Sequence, residues 1–291
     1  MRIAVFGATG TIGAALLPLL ARSHEVVGIS RAAREDANGV TWRRADAADA
    51  EAVRRALEGV DVVYYLVHSL GNADFEDRDL RAAGTLAEEA ERAGVSQLIY
   101  LGGLGGDEGE LSAHLRSRIE TGRRLEAGAV PVTTLRAAIV VGPGSAAFET
   151  IVALVDRLPA MVCPRWVGVP TQPIALRDTI AYLAGVCGRK EALGRSYDIG
   201  GPEVMTYREM IERIAKLRGK RPLIVEVPFL TPRLSSYWLH VVTPVKASVA
   251  RPLIEGLRAP TVVREHRIAE VVPLEATPFD EAAALALEGR I

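Results

Sequence analysis

The junction between residues 2–6 and residues 7–13 constrains this chain more than any other stretch. Arg2-Ile3-Ala4-Val5-Phe6 reads as a buried strand, and Gly7-Ala8-Thr9-Gly10-Thr11-Ile12-Gly13 follows it directly. An apolar helical pattern then runs over residues 11–22. A strand, a glycine turn and a helix in that order let a backbone wrap a pyrophosphate. Gly7 permits the tight turn, Gly10 lets the phosphates approach the main chain, and Gly13 lets helix and strand pack closely. Thr9, Thr11 and Ile12 complete the loop, and the helix N-terminus turns free N–H groups and partial positive charge toward the same place. Pro18 falls inside this helix, removes one backbone hydrogen bond and is expected to bend it.

The alternation continues for two-thirds of the chain. Strands are expected over residues 25–29, 40–43, 61–67, 97–101 and 132–136, with helices over 50–58, 77–93 and 112–126 between them. Gly59 and Gly94 stop the first two of those helices. The run 61–67 is apolar throughout, as suits a strand buried on both faces. Repeated βαβ units argue for an α/β fold, a Rossmann-type doubly wound parallel sheet. After Gly142-Pro143-Gly144 the pattern becomes irregular. Helices are expected over 148–158, 178–186 and 206–217, the last opened by a Thr206/Glu209 capping box, with a further sheet strand over 197–199. Prolines at 222, 228, 232, 244, 252 and 260 then punctuate short elements. The expected division is a dinucleotide-binding domain over 1–145, with 177–200 contributing to its sheet. Residues 146–176 and 201–291 then form a small substrate lobe over the carboxyl end of the sheet.

Lys and Arg number 35 against 36 Asp and Glu, so no net field draws this protein to nucleic acid or anionic lipid. The cysteines, Cys163 and Cys187, lack metal-ligand spacing and read as free thiols of a reducing cytosol. A strand beginning at Arg2 leaves no room for an ordinary signal peptide, and no 18 apolar residues run uninterrupted. Residues 234–242, with Tyr237, Trp238, Leu239 and His240, and the apolar stretch 245–257 fit an interfacial helix or a lid over an apolar pocket. Few basic residues and two interrupting prolines favour the lid.

The end of the second strand selects the dinucleotide. A carboxylate there accepts hydrogen bonds from the ribose 2′-OH of NAD. Here the strand ends in Ser30 and Arg31, with Arg34 close behind, which suits the 2′-phosphate of NADP(H) instead. Asp46, after the third strand, is placed either to meet the adenine amino group or to cap a helix.

These residues resemble the NmrA-like group of atypical short-chain dehydrogenase/reductases over nearly the whole chain. The resemblance rests on the glycine motif, on Val62-Val63-Tyr64-Tyr65-Leu66-Val67-His68-Ser69 and on Tyr100-Leu101-Gly102-Gly103-Leu104-Gly105. It continues through His114-Leu115-Arg116-Ser117-Arg118, Leu135-Arg136-Ala137-Ala138 and Gln172-Pro173-Ile174-Ala175-Leu176-Arg177-Asp178. It implies the fold above, NADP(H) as cofactor, and Leu66 beside it. The superfamily's usual catalysts are a Ser after strand five and a Tyr-x-x-x-Lys pair on the next helix. Here Gly102 and Gly103 stand at the Ser position, His114 aligns with the Tyr and Arg118 with the Lys. Arg118 then holds ribose hydroxyls, and His114 is the first candidate proton donor. His68 and either Tyr64 or Tyr65 are the others, since strand alternation sends the two rings to opposite faces. Glu149, Gln172 and Arg177 come from loops expected around the substrate pocket, with ordinary surface or capping roles as the alternative for each.

The implied function is an NADPH-dependent oxidoreductase acting on an apolar small molecule such as a quinone, enone or secondary metabolite, as a monomer or homodimer. The missing Ser and Tyr-x-x-x-Lys also suit a dinucleotide-binding redox sensor without turnover. They equally suit a non-redox isomerase or cyclase that retains the dinucleotide site.

Overall fold

The computed structural model describes residues 1–68, 75–105, 112–227 and 259–291. Ser69 and the expected lid over residues 234–257 lie outside the described residues.

Nine elements follow the expected order: β1 (Arg2–Phe6), α1 (Thr11–Leu20), β2 (Glu25–Ser30), β3 (Val40–Arg44), α2 (Ala50–Ala56), β4 (Val62–Tyr65), α3 (Phe75–Arg92), β5 (Gln97–Gly103) and α4 (Ala113–Glu126). Then come β6 (Val132–Ala137), β7 (Val140–Val141), α5 (Ala146–Arg157), β8 (Ala160–Pro164), β9 (Pro170–Thr171), β10 (Ile174–Ala175), α6 (Leu176–Gly185) and β11 (Ser196–Ile199). The chain closes with β12 (Met205–Thr206), α7 (Tyr207–Leu217), β13 (Leu223–Val227), α8 (Ile268–Val271) and α9 (Phe279–Leu287).

The main sheet has seven strands in the order β11-β6-β5-β4-β1-β2-β3, with every neighbouring pair parallel. The chain moves outward from β1 to β3, then returns to β1's other side as β4. That reversal opens a crevice at the carboxyl ends of β1 and β4, where ligands sit in open α/β sheets. Alternation along the strands builds two cores. Ile3, Val5, Val62, Tyr64 and Ile99 pack against α1 and α6 on one face. Ala4, Phe6, Val63, Tyr65, Leu98 and Tyr100 pack against α2, α3 and α4 on the other. Burial on both faces explains why these strands read as unbroken apolar runs.

A third core gathers Phe148, Ile151, Met161, Tyr207, Met210, Ile214 and Phe279, chiefly from α5, α7 and α9. The parallel pair β8–β13 flanks it, and the predicted Thr206/Glu209 capping box opens α7. One expectation is corrected. Residues 264–274, assigned by sequence to the small lobe, return to the main sheet. Ile268, Val271, Val272 and Leu274 pack on the α1/α6 core. The Arg264 N–H donates to buried Asp198 on β11, while the Asp198 N–H donates to Glu265. α1 runs on through Pro18, which is exposed and lacks a backbone donor, as far as Leu20.

Candidate active site

The glycine turn is built by contacts that leave no room for side chains. Gly7 adopts φ +84°, and a Cβ there would lie 2.6 Å from the Leu66 carbonyl oxygen. A Cβ on Gly13 would lie 2.3 Å from the Gly7 oxygen and 2.8 Å from Ala8 Cα. Gly10 differs: it is exposed, takes φ −79° and ψ 171°, and its Cβ would meet only the Gly7 oxygen, at 3.3 Å. Packing therefore explains Gly7 and Gly13, whereas Gly10 faces open space above the first turn of α1. That turn has no side-chain cap, unlike α2, α4 and α7. Its first N–H groups point out of the helix without intrahelical partners. Open backbone donors, no acidic residue in the first turn and a glycine whose absent side chain serves no packing need are what a pyrophosphate requires. Thr11 fixes the rim by donating from Oγ1 to the Gly144 carbonyl at 2.7 Å.

At the ends of β2 and β3 the register pairs Ser30 with Arg44. Ser30 Oγ accepts from the Ala32 N–H, which turns the chain, and Arg44 Nε donates to the Arg31 carbonyl at 3.1 Å. The Arg34 guanidinium lies 5.0 Å from the centre of the Trp42 ring. Arg31 and Arg44 thus meet beyond the strand ends, while Arg34 lies over Trp42 and Asp36 is engaged by the Trp42 N–H. Asp46 does not cap α2. Its Oδ1 accepts from the Ala48 N–H and its Oδ2 pairs with Arg78 at 3.2 Å, and Asp49 supplies the cap instead.

The remaining candidates meet where β4 leaves the sheet. Leu66, whose carbonyl abuts Gly7, lies two residues before His68. The His68 ring bridges two partners: Nδ1 is 2.8 Å from Asp79 Oδ2 on α3, and Nε2 is 3.0 Å from His114 Nδ1 in the first turn of α4. Asp79 is almost fully buried, at 2% exposure, so its charge is felt strongly by the imidazole it touches. Burial lowers the His68 pKa, with nearby Arg118 acting the same way and Asp79 opposing both. Burial, His68 and Arg118 together push His114 down to about 3 against the pull of Asp79, so both rings are neutral at pH 7. Arg118, one turn beyond His114, lays its guanidinium 5.0 Å from the centre of the Tyr100 ring, and its carbonyl accepts from the Tyr100 hydroxyl.

The two tyrosines of β4 separate as alternation requires, and the structure corrects their expected role. Tyr64 lies in the α1/α6 core with no exposed surface, and its hydroxyl donates to the Leu183 carbonyl at 2.9 Å. Tyr65 lies on the α3/α4 side, also without exposed surface, 6.2 Å from the Tyr100 ring centre. Its hydroxyl has no hydrogen-bond partner among the described residues, and burial raises its pKa. Neither phenol reaches a surface where a substrate could meet it.

Residues 7–130 match the NAD(P)H-binding family. The chain carries an NAD(P)H-binding domain. It is 28% identical to the Streptomyces griseus (4-alkanoyl-5-oxo-2,5-dihydrofuran-3-yl)methyl phosphate reductase, over 77% of this chain and 76% of that protein. It is 24% identical to subunit 9 of the NADH dehydrogenase [ubiquinone] 1 alpha subcomplex of Arabidopsis thaliana mitochondria, over 77% of this chain. The chain spans 60% of that subunit's length. Among solved structures, the Citrobacter triphenylmethane reductase complexed with NADP(H) superposes with a TM-score of 0.78 at 17% identity, covering 98% of this chain and 100% of that one. The fold is therefore that of the NAD(P)-dependent reductases and epimerases.

Around the NAD(P)H-binding domain, three further candidates take structural roles. Glu149 accepts from the Gly144 N–H and steadies the loop against Thr11. Gln172 is buried, donating to the Gly201 carbonyl and accepting from the Val263 N–H. Arg177 pairs with Glu281 on α9. The glycines where the superfamily carries its Ser also gain a reason: a Cβ on Gly103 would lie 2.7 Å from Leu115 Cδ1 of α4. Sequence reasoning missed Arg44 and Asp79. Arg44 follows from the parallel register of β2 with β3. Asp79 carried no signal, being one of several acids along α3.

Proposed function

We propose that this chain is an NADPH-dependent oxidoreductase acting on an apolar small molecule that carries a carbonyl or quinone oxygen, with His114 as the group that exchanges a proton with that oxygen. The supporting observation is the convergence of His114, His68 and Arg118 at the exit of β4, directly beyond the glycine turn that Leu66 touches. The Streptomyces and Citrobacter reductases make a reductase the natural comparison. The turn and the open first turn of α1 would hold the pyrophosphate, and Ser30, Arg31, Arg34 and Arg44 would hold the 2′-phosphate. Arg118 would orient the nicotinamide ribose, and Asp46 the adenine. When bound, the dinucleotide supplies the hydride chemistry. The protein positions the substrate oxygen beside His114.

The test is NADPH consumption, followed at the nicotinamide absorbance, against quinones and carbonyl compounds, with His114→Ala measured beside the parent. Loss of a general acid or base costs about 10²–10⁴-fold in kcat. Turnover by the parent that His114→Ala retains in full would refute the assignment. A second reading, a dinucleotide sensor without turnover, draws on Leu115 filling the place of the superfamily's Ser. NADPH binding without consumption across the panel would favour it.

A further inference from the structure

We propose that Asp79, His68 and His114 form a proton relay that holds His114 in the Nδ1–H tautomer, so that Nε2 is a proton acceptor for a substrate hydroxyl. The substrate half of this rests on the oxidoreductase reading above; the tautomers do not.

Donors and acceptors alternate along three groups. With Asp79 ionised, its carboxylate can only accept, and the 2.8 Å contact to its Oδ2 then places the His68 proton on Nδ1. A neutral ring with Nδ1–H has a lone pair at Nε2. That lone pair faces His114 Nδ1 at 3.0 Å, so His114 must donate there, which puts its own proton on Nδ1. His114 Nε2 is left with a lone pair, and the ring is partly exposed. Free imidazole prefers the Nε2–H form, so two consecutive rings in the Nδ1–H form require an anchor at the far end. Asp79 is that anchor: a positioning residue on α3 that meets the relay at His68. Among the described residues, the charged and titratable groups facing the pair are Asp79 from α3, Arg118 from α4, and Tyr65 and Tyr100 from β4 and β5 around them. Burial and Arg118 keep the rings neutral at rest, while Asp79 favours a proton that arrives.

The substrate class follows from the lone pair. A secondary alcohol would give its O–H proton to His114 Nε2 while its carbinol C–H hydrogen leaves with two electrons as hydride to an oxidised nicotinamide, and the C=O bond forms. The His114 Nδ1 proton can then shift to His68 Nε2, and the His68 Nδ1 proton toward Asp79, spreading the charge over three groups. In the opposite direction, carbonyl reduction needs Nε2 protonated first. Reduction should therefore fall about tenfold per pH unit above neutrality, while alcohol oxidation stays flat.

The chain contains five histidines, so long-range proton–nitrogen spectra of 15N-histidine-labelled protein can be assigned with His68→Leu and His114→Gln. The expected result at pH 7.5 is Nδ1–H at both His68 and His114, with His114 reverting to Nε2–H in Asp79→Leu and His68→Leu. Nε2–H at either ring in the parent protein overturns the relay whatever turnover is seen, and needs no variant to fold. An unchanged His114 in folded His68→Leu overturns it too. If both rings show Nδ1–H but no alcohol or carbonyl compound reacts, the relay stands and the oxidoreductase reading fails. A reduction rate independent of pH would overturn Nε2 as the proton-exchanging atom.

Discussion

The glycine turn offers a perturbation whose two halves should separate cleanly. Gly10 takes backbone angles open to any residue, is exposed, and would bring a Cβ no closer than 3.3 Å to one oxygen. Gly10→Val should therefore change stability by less than about 1 kcal/mol. Its branched side chain would nevertheless stand where phosphate oxygens must reach the N–H groups of α1. Loss of those charge-assisted bonds should weaken NADPH binding at least about 100-fold, or about 2.7 kcal/mol. Gly13→Ala is the opposite case. Its Cβ would sit 2.3 Å from the Gly7 oxygen and 2.8 Å from Ala8 Cα, both backbone atoms that cannot rotate away. Such overpacking costs about 1–3 kcal/mol or more, and each kcal/mol lowers Tm by about 2–4 °C in a chain of this class. Calorimetric titration with NADPH and thermal melting, run on both variants, read the two effects. Gly10→Val that melts and binds like the parent would refute the phosphate cradle. Gly13→Ala that melts like the parent would refute the close approach of α1 to the turn.

The other expectations are narrower. Arg31→Ala and Arg44→Ala should each lose about 1–3 kcal/mol of NADPH affinity and little NADH affinity by titration; equal losses for both dinucleotides would remove the 2′-phosphate assignment. Tyr64→Phe should leave kcat unchanged but lower stability in urea by about 1–3 kcal/mol, because it strands the buried Leu183 carbonyl. Stability should also fall on the acid side. His68 and His114 are held below the ordinary histidine value, so the unfolded chain takes up protons below about pH 6.5 that the folded chain refuses. The contribution is full above that pH and is lost as the pH drops toward about 3, the value for His114. Urea melts at pH 7 and pH 5 should differ by about 2 kcal/mol from His114, with His68 acting in the same direction, and His114→Gln should shrink the difference; an unchanged slope would contradict a buried neutral ring.

Much of the NAD(P)H-binding half was legible from one dimension. The strands, the glycine turn and the helices α1 to α4 announce themselves by local pattern: continuous apolar runs and a glycine stop at Gly59 or Gly94. These signals act within a few residues, so they survive without knowledge of the partners. The return of residues 264–274 to the main sheet left no such mark. It depends on Asp198 being buried beside the Arg264 N–H, a pairing between positions 66 residues apart.

The candidate site divides in the same way. Sequence alone determined the turn at residues 7–13, the absence of an acid at the end of β2, and the short-range candidates His68 and His114, because each is a property of residue type and local spacing. Tertiary structure decided which candidates meet. Period-two alternation told Tyr64 from Tyr65 by face but not by depth, and burial removed both. Asp79, from the middle of an acidic helix, became the end of a hydrogen-bonded chain because α3 carries it against the exit of β4, where His114 arrives from α4. Three elements distant in sequence must pack before that chain exists, and hydrogen-bond geometry, unlike helix or strand propensity, is written only in three dimensions.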